Sequence, residues 1–393
     1  MATIESYETK AGTRYLVRYR TPDHRQTKKR GFTTKRDANA FAVTTETAKL
    51  TGDWIDPSAG RVTVGDVYDQ WRASSGHLKA STAATREVTW RVHTGPKWSG
   101  VTVGKVQTST VRAWVAQMVT DGAGTATIEN ALGLLRMVLE TAAEDRRIPR
   151  NPCAGVKVPR REHRQRGYLT HIQVQELADE TGEPDVVQFL AYTGLRWSEM
   201  AALRVSDFEM LRRRVHVTRA VVEVKGALVW GSPKTHERRS VPFPKFLVPL
   251  LATRMVGKGR NELVFTSTEG AVLRVSTWRP RVFKPAVVRL QERATEQRKQ
   301  EELEFDHATT PEFPTVTPHD MRHTAASLAI SAGANVKSVQ TMLGHASAAM
   351  TLDTYSDLFP DDLEAVSDAL DLARTRAQCA QNVPTDAKET LSE

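Results

Sequence analysis

Apolar and polar positions change rhythm along the chain. Near the N-terminus, Tyr15-Leu16-Val17-Arg18-Tyr19-Arg20 alternates as a strand does, and Thr21-Pro22-Asp23 follows as a turn signal. Thr34 stands where an N-cap belongs, ahead of a helix predicted from about Lys35 to Leu50. Gly52 to Arg61, with Pro57, Ser58 and Gly60, reads as a linker. From Val62 to about Ala154 the period becomes helical: Val64, Val67, Tyr68 and Trp71 recur at that spacing, as do Val111, Trp114, Val115 and Met118. Val156 to Arg166 is basic and punctuated by proline, which predicts an extended interdomain connection. A mixed pattern begins at Tyr168, with a strand-like run from Val215 to Val224, and the last residues, from about Arg376, carry no apolar stripe. The expected architecture is multidomain α+β. It has a small N-terminal β-sheet with a helix over 1–60, an all-α domain over 62–155 and a basic linker over 156–167. A mixed, mainly helical domain with a small β-sheet or hairpin follows over 168–375, then a flexible tail over 376–393.

Length and charge sharpen this picture. A chain of 393 residues exceeds what one typical core organises. A formal charge of +9 points to an anionic partner, with nucleic acid the leading class. Arg25, Lys28, Lys29 and Arg30 all precede the first acid of that region, Asp37, and form either a DNA-contacting hairpin or a solvated one. Arg160 and Arg161 lie in the basic linker, which suits a segment running along a phosphate backbone. The two cysteines, Cys153 and Cys379, lack metal-ligand spacing and predict neither a disulfide framework nor a zinc site. The N-terminus has no apolar signal region, and the most apolar run, Val186 to Leu195, falls well short of the ~20 residues of a membrane span. A soluble protein of a reducing cytoplasm is expected.

Four boxes carry candidate chemistry. In Ala191-Tyr192-Thr193-Gly194-Leu195-Arg196-Trp197-Ser198-Glu199, an apolar helix stops at Gly194 and Arg196 opens the next, with Glu199 able to orient it. In Ser232-Pro233-Lys234-Thr235, Lys234 is expected at or near the tip of a β-hairpin, where it could donate a proton to a phosphate. In Thr317-Pro318-His319-Asp320-Met321-Arg322-His323-Thr324, a cap-like start puts His319 in a first helical turn. Arg322 then lies on the same face, so the two could clamp an oxyanion. In Met342-Leu343-Gly344-His345, the glycine ends a helix and throws His345 outward, and Tyr355 follows. Each residue alone has an ordinary reading: a surface arginine, a turn lysine, a half-buried tyrosine.

Taken in order, Arg196, Lys234, His319-x-x-Arg322, Leu343-Gly344-His345 and Tyr355 resemble the tyrosine recombinase and phage integrase family, and the likeness covers roughly Tyr168 to Leu370. The helical region before it resembles the family's core-binding domain. The N-terminal segment is similar to the arm-type DNA-binding domain of temperate-phage and mobile-element integrases, and the composition is compatible with an actinobacterial phage. The resemblance implies a DNA strand transferase in which Tyr355 attacks a phosphodiester, leaving a 3′-phosphotyrosyl bond and a free 5′-hydroxyl. Arg196 and Arg322 would neutralise the non-bridging oxygens, His319 would take the tyrosine proton, His345 would bond a phosphate oxygen and Lys234 would protonate the leaving oxygen. No phosphate-cradling Gly-x-x-x-x-Gly-Lys-Ser/Thr loop and no dense carboxylate cluster is visible, so neither ATP, a metal nor another cofactor is expected. The implied partners are double-stranded DNA at core and arm sites, a homotetramer on DNA, and an excisionase or host DNA-bending protein. Two rivals remain: a type IB topoisomerase-like enzyme, disfavoured by the basic N-terminal module, and a DNA-binding regulator with a degenerate catalytic half. One stretch, Glu292 to Glu304, looks like a charged insertion.

Overall fold

The computed structural model describes residues 2–22, 24–52, 54–56, 58–161, 167–233, 238–356, 370–375 and 378. The chain divides into two compact units, Met1–Arg164 and Gln165–Glu393.

The first unit begins with an antiparallel sheet in the order β1 (Thr3–Thr9), β2 (Gly12–Arg20), β3 (Gln26–Phe32). Alternation along β2 turns Val17 and Tyr19 toward α1 (Lys35–Leu50), where they bury against Ala38 and Ala42. Thr34 caps that helix by accepting the Asp37 N–H at 3.1 Å. The segment read as a linker is pinned: Arg146 donates to the Gly52 carbonyl at 2.9 Å, and Arg25 reaches Asp56 at 3.5 Å. A side chain at Gly60 would meet the Gly104 backbone at 3.3 Å. Beyond it, α2 (Val64–Ser74), α3 (Ala80–Thr89), α4 (Thr108–Thr120) and α5 (Thr125–Glu144) surround a core of Leu134, Leu135, Val138 and Leu139. Tyr68 and Trp90 stack at 3.8 Å in that core. Cys153 is buried there, and burial pushes its thiol up to about 12.

The second unit is organised around α7 (Pro184–Thr193), in which Val186, Val187, Phe189, Leu190 and Ala191 are all buried. A helix this apolar on every side has to be enclosed. It packs against α6 (His171–Thr181) and α11 (Asp320–Ser331). The short α8 (Trp197–Met200) follows it, then a three-stranded sheet β4 (Phe208–Glu209), β5 (Arg214–Val217), β8 (Arg239–Pro242) and a two-stranded hairpin β6 (Ala220–Val224), β7 (Ala227–Gly231). The predicted strand run 215–224 is thus two strands of two different sheets. The hairpin tip is Lys225-Gly226, whose φ values of 50° and 80° suit a tight primed turn. Lys234, expected at or near a hairpin tip, lies outside the described residues. After α9 (Leu247–Met255) comes α10 (Lys284–Phe305), then α11, α12 (Val336–Leu343) and α13 (Ala348–Tyr355).

The charged stretch 292–304 continues α10 rather than forming an element of its own. Ala286, Val287 and Leu290 bury the start of that helix, while Arg289 and Arg293 both pair with Glu180. Near its end the Glu301 carboxylate accepts the Thr309 and Thr310 N–H groups at 2.6 and 2.8 Å. Hydrogen bonds from Thr310 and then Thr309 hold it down to about 2. Among the described residues, no helix is long and apolar enough to cross a membrane, and no group of three or more His, Cys, Asp or Glu could hold a metal ion.

Gly194 ends α7 at φ 64°, and an added Cβ would meet Leu343 at 2.7 Å and Ala325 at 3.3 Å. The ends of α7 and α12 meet the middle of α11 at this point, so only glycine satisfies both the left-handed backbone and the space. Gly194→Ala should destabilise by roughly 2–5 kcal/mol, from backbone strain plus overpacking. Gly182→Ala, at φ 68° with nothing within 4 Å, carries only the backbone part. Urea denaturation of both variants checks the difference.

Candidate active site

Arg196 caps α8, and its neighbour Glu199 bites back on it. The Arg196 N–H donates to one Glu199 oxygen at 3.0 Å, and its guanidinium donates to the other at 2.8 Å. From β8, Arg239 holds the same carboxylate at 2.6 and 3.1 Å and donates to the Met342 carbonyl at 3.3 Å. Glu199 is 0% exposed. Burial alone would raise its carboxyl, but the hydrogen bonds and charges of Arg239 and Arg196 outweigh that and hold it below the usual carboxylate range.

Arg322 is 3% exposed and donates one guanidinium nitrogen to the Gly194 carbonyl at 2.8 Å. Its other terminal nitrogen has no hydrogen-bond partner among the described residues. Burial, followed by the charges of Arg196 and Arg239, pushes this guanidinium down to about 9. Three arginines therefore share one buried acid, and the surplus is positive. A buried donor without an acceptor costs about 1–3 kcal/mol, more when charged, so an anion that fills the gap is strongly favoured.

Gly344, at φ 66°, turns the chain out of α12 and sets His345 beside Thr351, 3.0 Å away. Burial and then the charges of Arg322, Arg196 and Arg239 push His345 down to about 4, so its ring is neutral near pH 7. Tyr355, at the end of α13, is 1% exposed, and its ring lies parallel to that of His345 at 6.4 Å. Its hydroxyl is 2.7 Å from Nδ1 of His323. His319 is not in the first turn of α11 as expected but one residue ahead of it, at the cap. The Thr317 N–H and hydroxyl both donate to Asp320 there, at 2.8 and 2.7 Å. The His319 ring stands perpendicular to that of His323 at 5.4 Å and lines a cleft of about 580 Å³ with Arg196, Lys225 and Arg274.

Of the predicted set, Arg196, His319, Arg322, His345 and Tyr355 converge within one unit. Lys234 lies outside the described residues. The residue bonded to Tyr355 is His323, which the sequence reading quoted but did not single out, and Arg239 was missed altogether. For Arg239 a signal existed: it sits two positions before buried Val241, so strand alternation turns it inward, whereas Arg238 is exposed.

The predicted DNA-contacting cations also sort by position. Lys28 pairs across with Arg18 and Arg30 with Leu16, so both point from the sheet face opposite α1. Lys29 pairs with Val17 on the helix-covered face, its ammonium 4.4 Å from the Phe41 ring centre. Arg14 and Arg20 share the open face through the same alternation, and the sequence reading had not named them. Arg25 is ion-paired with Asp56, Arg161 with Glu129, and Arg160 is exposed.

Residues 168–361 match the phage integrase family. Curated relatives extend the likeness to the longer chain. The putative prophage phiRv2 integrase of Mycobacterium tuberculosis is 26% identical over 86% of this chain and 88% of its own. The integrase of Mycobacterium phage D29 is 26% identical over 82% of this chain and 84% of its own. Residues 168–361 form a tyrosine recombinase domain of the phage integrase family. Its fold agrees with that of the Tn1549 transposon integrase bound to transposon right end DNA, at a TM-score of 0.65 and 22% identity over 79% of this chain and 99% of that one. It also agrees with the lambda integrase dimer on a core site, at 0.55 and 16% over 89% and 93%.

The neutral state of His345 in this recombinase has a measurable sign. A histidine with an ordinary value near 6.5 when unfolded and about 4 when folded contributes stability above pH 6.5 that is lost as pH falls toward 4. His345→Gln should therefore flatten the fall in stability between about pH 6.5 and 4.5, a window above the Glu199 titration. Denaturation midpoints across that range check it.

Proposed function

We propose that this recombinase cuts and rejoins DNA at specific sites through a 3′-phosphotyrosyl bond to Tyr355, integrating and excising a phage or mobile element. The observation that carries the reading is the nitrogen of buried Arg322 that has no hydrogen-bond partner among the described residues, within a cluster of surplus positive charge that also contains Arg196 and reaches Tyr355. A scissile phosphate meets that demand, and its pentacoordinate transition state, with more charge on the non-bridging oxygens, meets it better. Arg196 and Arg322 hold those oxygens. Neutral His345 donates a further hydrogen bond, His319 faces the phosphate from the cleft it shares with Arg196, and Lys234 protonates the departing 5′-oxygen. Because the phosphotyrosine keeps the bond energy, a second strand's 5′-hydroxyl reseals the backbone without ATP. This favours recombination over a type IB topoisomerase reading only together with the N-terminal basic sheet.

The reading extends to partners. Lambda integrase forms a dimer on a core site and a tetramer on a Holliday junction. We assign this chain the same substrate, double-stranded DNA at core and arm sites, and a tetramer as the working form. It acts in the bacterial cytoplasm, at the nucleoid, with an excisionase or host DNA-bending protein setting direction. Residues 1–60 serve as the arm-binding domain, 62–155 as the core-binding domain and 168–375 as the catalytic domain, joined by 156–167.

On a nicked duplex carrying the core site, the wild-type protein should form a denaturant-stable adduct, whereas Tyr355→Phe should bind without forming one. An adduct with the Phe variant would remove Tyr355 from the chemistry. Gel shifts on arm-site duplex test the sheet face: Lys28→Ala with Arg30→Ala should weaken binding and lower the salt slope by about two ions, while Lys29→Ala changes neither. Equal losses from all three lysine and arginine changes would overturn the face assignment.

A further inference from the structure

The nucleophile of this site is bonded to the histidine that sequence order makes least conspicuous. His319 and His323 are four residues apart, one helical turn, and both project to the side of α11 nearest Tyr355. Only His323 has a ring nitrogen, Nδ1, at 2.7 Å from the Tyr355 hydroxyl. The two rings meet at 55° with centroids 5.6 Å apart, an edge approach that puts the nitrogen rather than the ring face against the oxygen. Tyr355 is buried, so water does not offer an open path for its proton. His323 is half-buried and has a second nitrogen through which a proton can move onward.

We propose that His323 is the general base that takes the Tyr355 proton during strand cleavage, with His319 left to face the phosphate. This rests on the reading of Tyr355 as nucleophile. In the step, the Tyr355 oxygen forms a bond to phosphorus while its proton passes to His323 Nδ1. The phosphorus–O5′ bond breaks, its electron pair leaves on O5′, and that oxygen takes a proton from the general acid assigned to Lys234. On rejoining, the attacking 5′-hydroxyl gives its proton back to the now neutral Lys234 as its oxygen bonds to phosphorus, the phosphorus–tyrosine bond breaks, and the His323 imidazolium returns its proton to the phenolate. Proton balance is closed without an outside reagent.

The charged groups that reach this pair from neighbouring elements are mainly cations. Arg322 lies beside His323 in sequence, and its charge reaches Tyr355. Arg196, Arg239 and His345 complete the cluster on the α8, β8 and α12–α13 sides, and Tyr168 packs against the same small core as Tyr355. Among the described residues, the acids near these helices are committed elsewhere or turned outward: Glu199 to its arginines, Asp320 to Thr317, Asp185 to Arg254, with Asp353 exposed. Lys337 on α12 is exposed as well.

The test uses full-length protein and the nicked core-site duplex, with single-turnover cleavage measured against pH. His323→Asn retains a polar group where Nδ1 sits but cannot carry a proton. It should bind DNA as the wild type does in a gel shift, cleave roughly 10²–10⁴-fold more slowly at neutral pH, and lose the acid limb of the profile. His319→Asn should be slowed but keep that limb. His323→Ala should recover activity with added imidazole in proportion to its concentration, a response that lost packing would not produce, and this variant decides the matter if the Asn protein fails to bind. Nitrogen NMR of His323 should report Nδ1 as the unprotonated acceptor, with a change in Tyr355→Phe. Wild-type rate or an intact acid limb in His323→Asn, or loss of the limb in His319→Asn alone, would overturn the proposal. An adduct formed by Tyr355→Phe would instead sink the nucleophile reading beneath it.

Discussion

The buried carboxylate of Glu199 is the interaction on which the rest of the active site depends. It accepts hydrogen bonds from a helix cap, from Arg196 and from Arg239 on a separate sheet, and Arg239 in turn holds the end of α12 through the Met342 carbonyl. One acid thus ties α8, β8 and α12 together. Breaking a buried pair of this kind by removing one partner typically costs about 3–5 kcal/mol, because the remaining charges are stranded. Here the stranded charges would be arginines already crowded against Arg322. Glu199 therefore does more than orient Arg196. It makes a dense group of guanidiniums tolerable in a dry site, yet leaves enough positive charge unmatched to demand a phosphate.

That excess charge sets the protonation of everything near it. His345 is kept neutral by burial and by three arginines, so it acts as a hydrogen-bond donor of fixed charge rather than as a titrating switch near pH 7. The charge of Arg322 reaches Tyr355 as well, so one guanidinium cluster bears on both residues. The cluster is held in register by packing, since the turn at Gly194 brings the Arg322 acceptor, Leu343 and Ala325 within contact of one another.

In the first unit, charge is organised by strand alternation instead. A small sheet with one face covered by α1 must expose the other, and cations gathered on that open face form a surface suited to a phosphate backbone. Lys29 departs from its neighbours only because alternation turns it to the covered side, where Phe41 receives it.

The sequence by itself determined the family, the order of the chemical boxes, the helix stops at Gly194 and Gly344, and the stripes that became the bundle core. These are local properties: glycine at a left-handed cap, apolar residues at helical or alternating spacing, short motifs in fixed order. The tertiary structure decided what spacing leaves degenerate. His319 and His323 are four residues apart, and only the tertiary packing brings one of them, His323, to the Tyr355 hydroxyl. Alternation before Val241 turns Arg239 rather than Arg238 inward, but only the β5–β8 pairing sets it against Glu199. The run 215–224 reads as a single strand because hydrophobicity carries no record of a change of sheet, so the hairpin with its tip at Lys225-Gly226 is not visible in it. Local rules fix the direction a side chain takes from its own element, whereas its partner depends on long-range packing that no window of sequence contains.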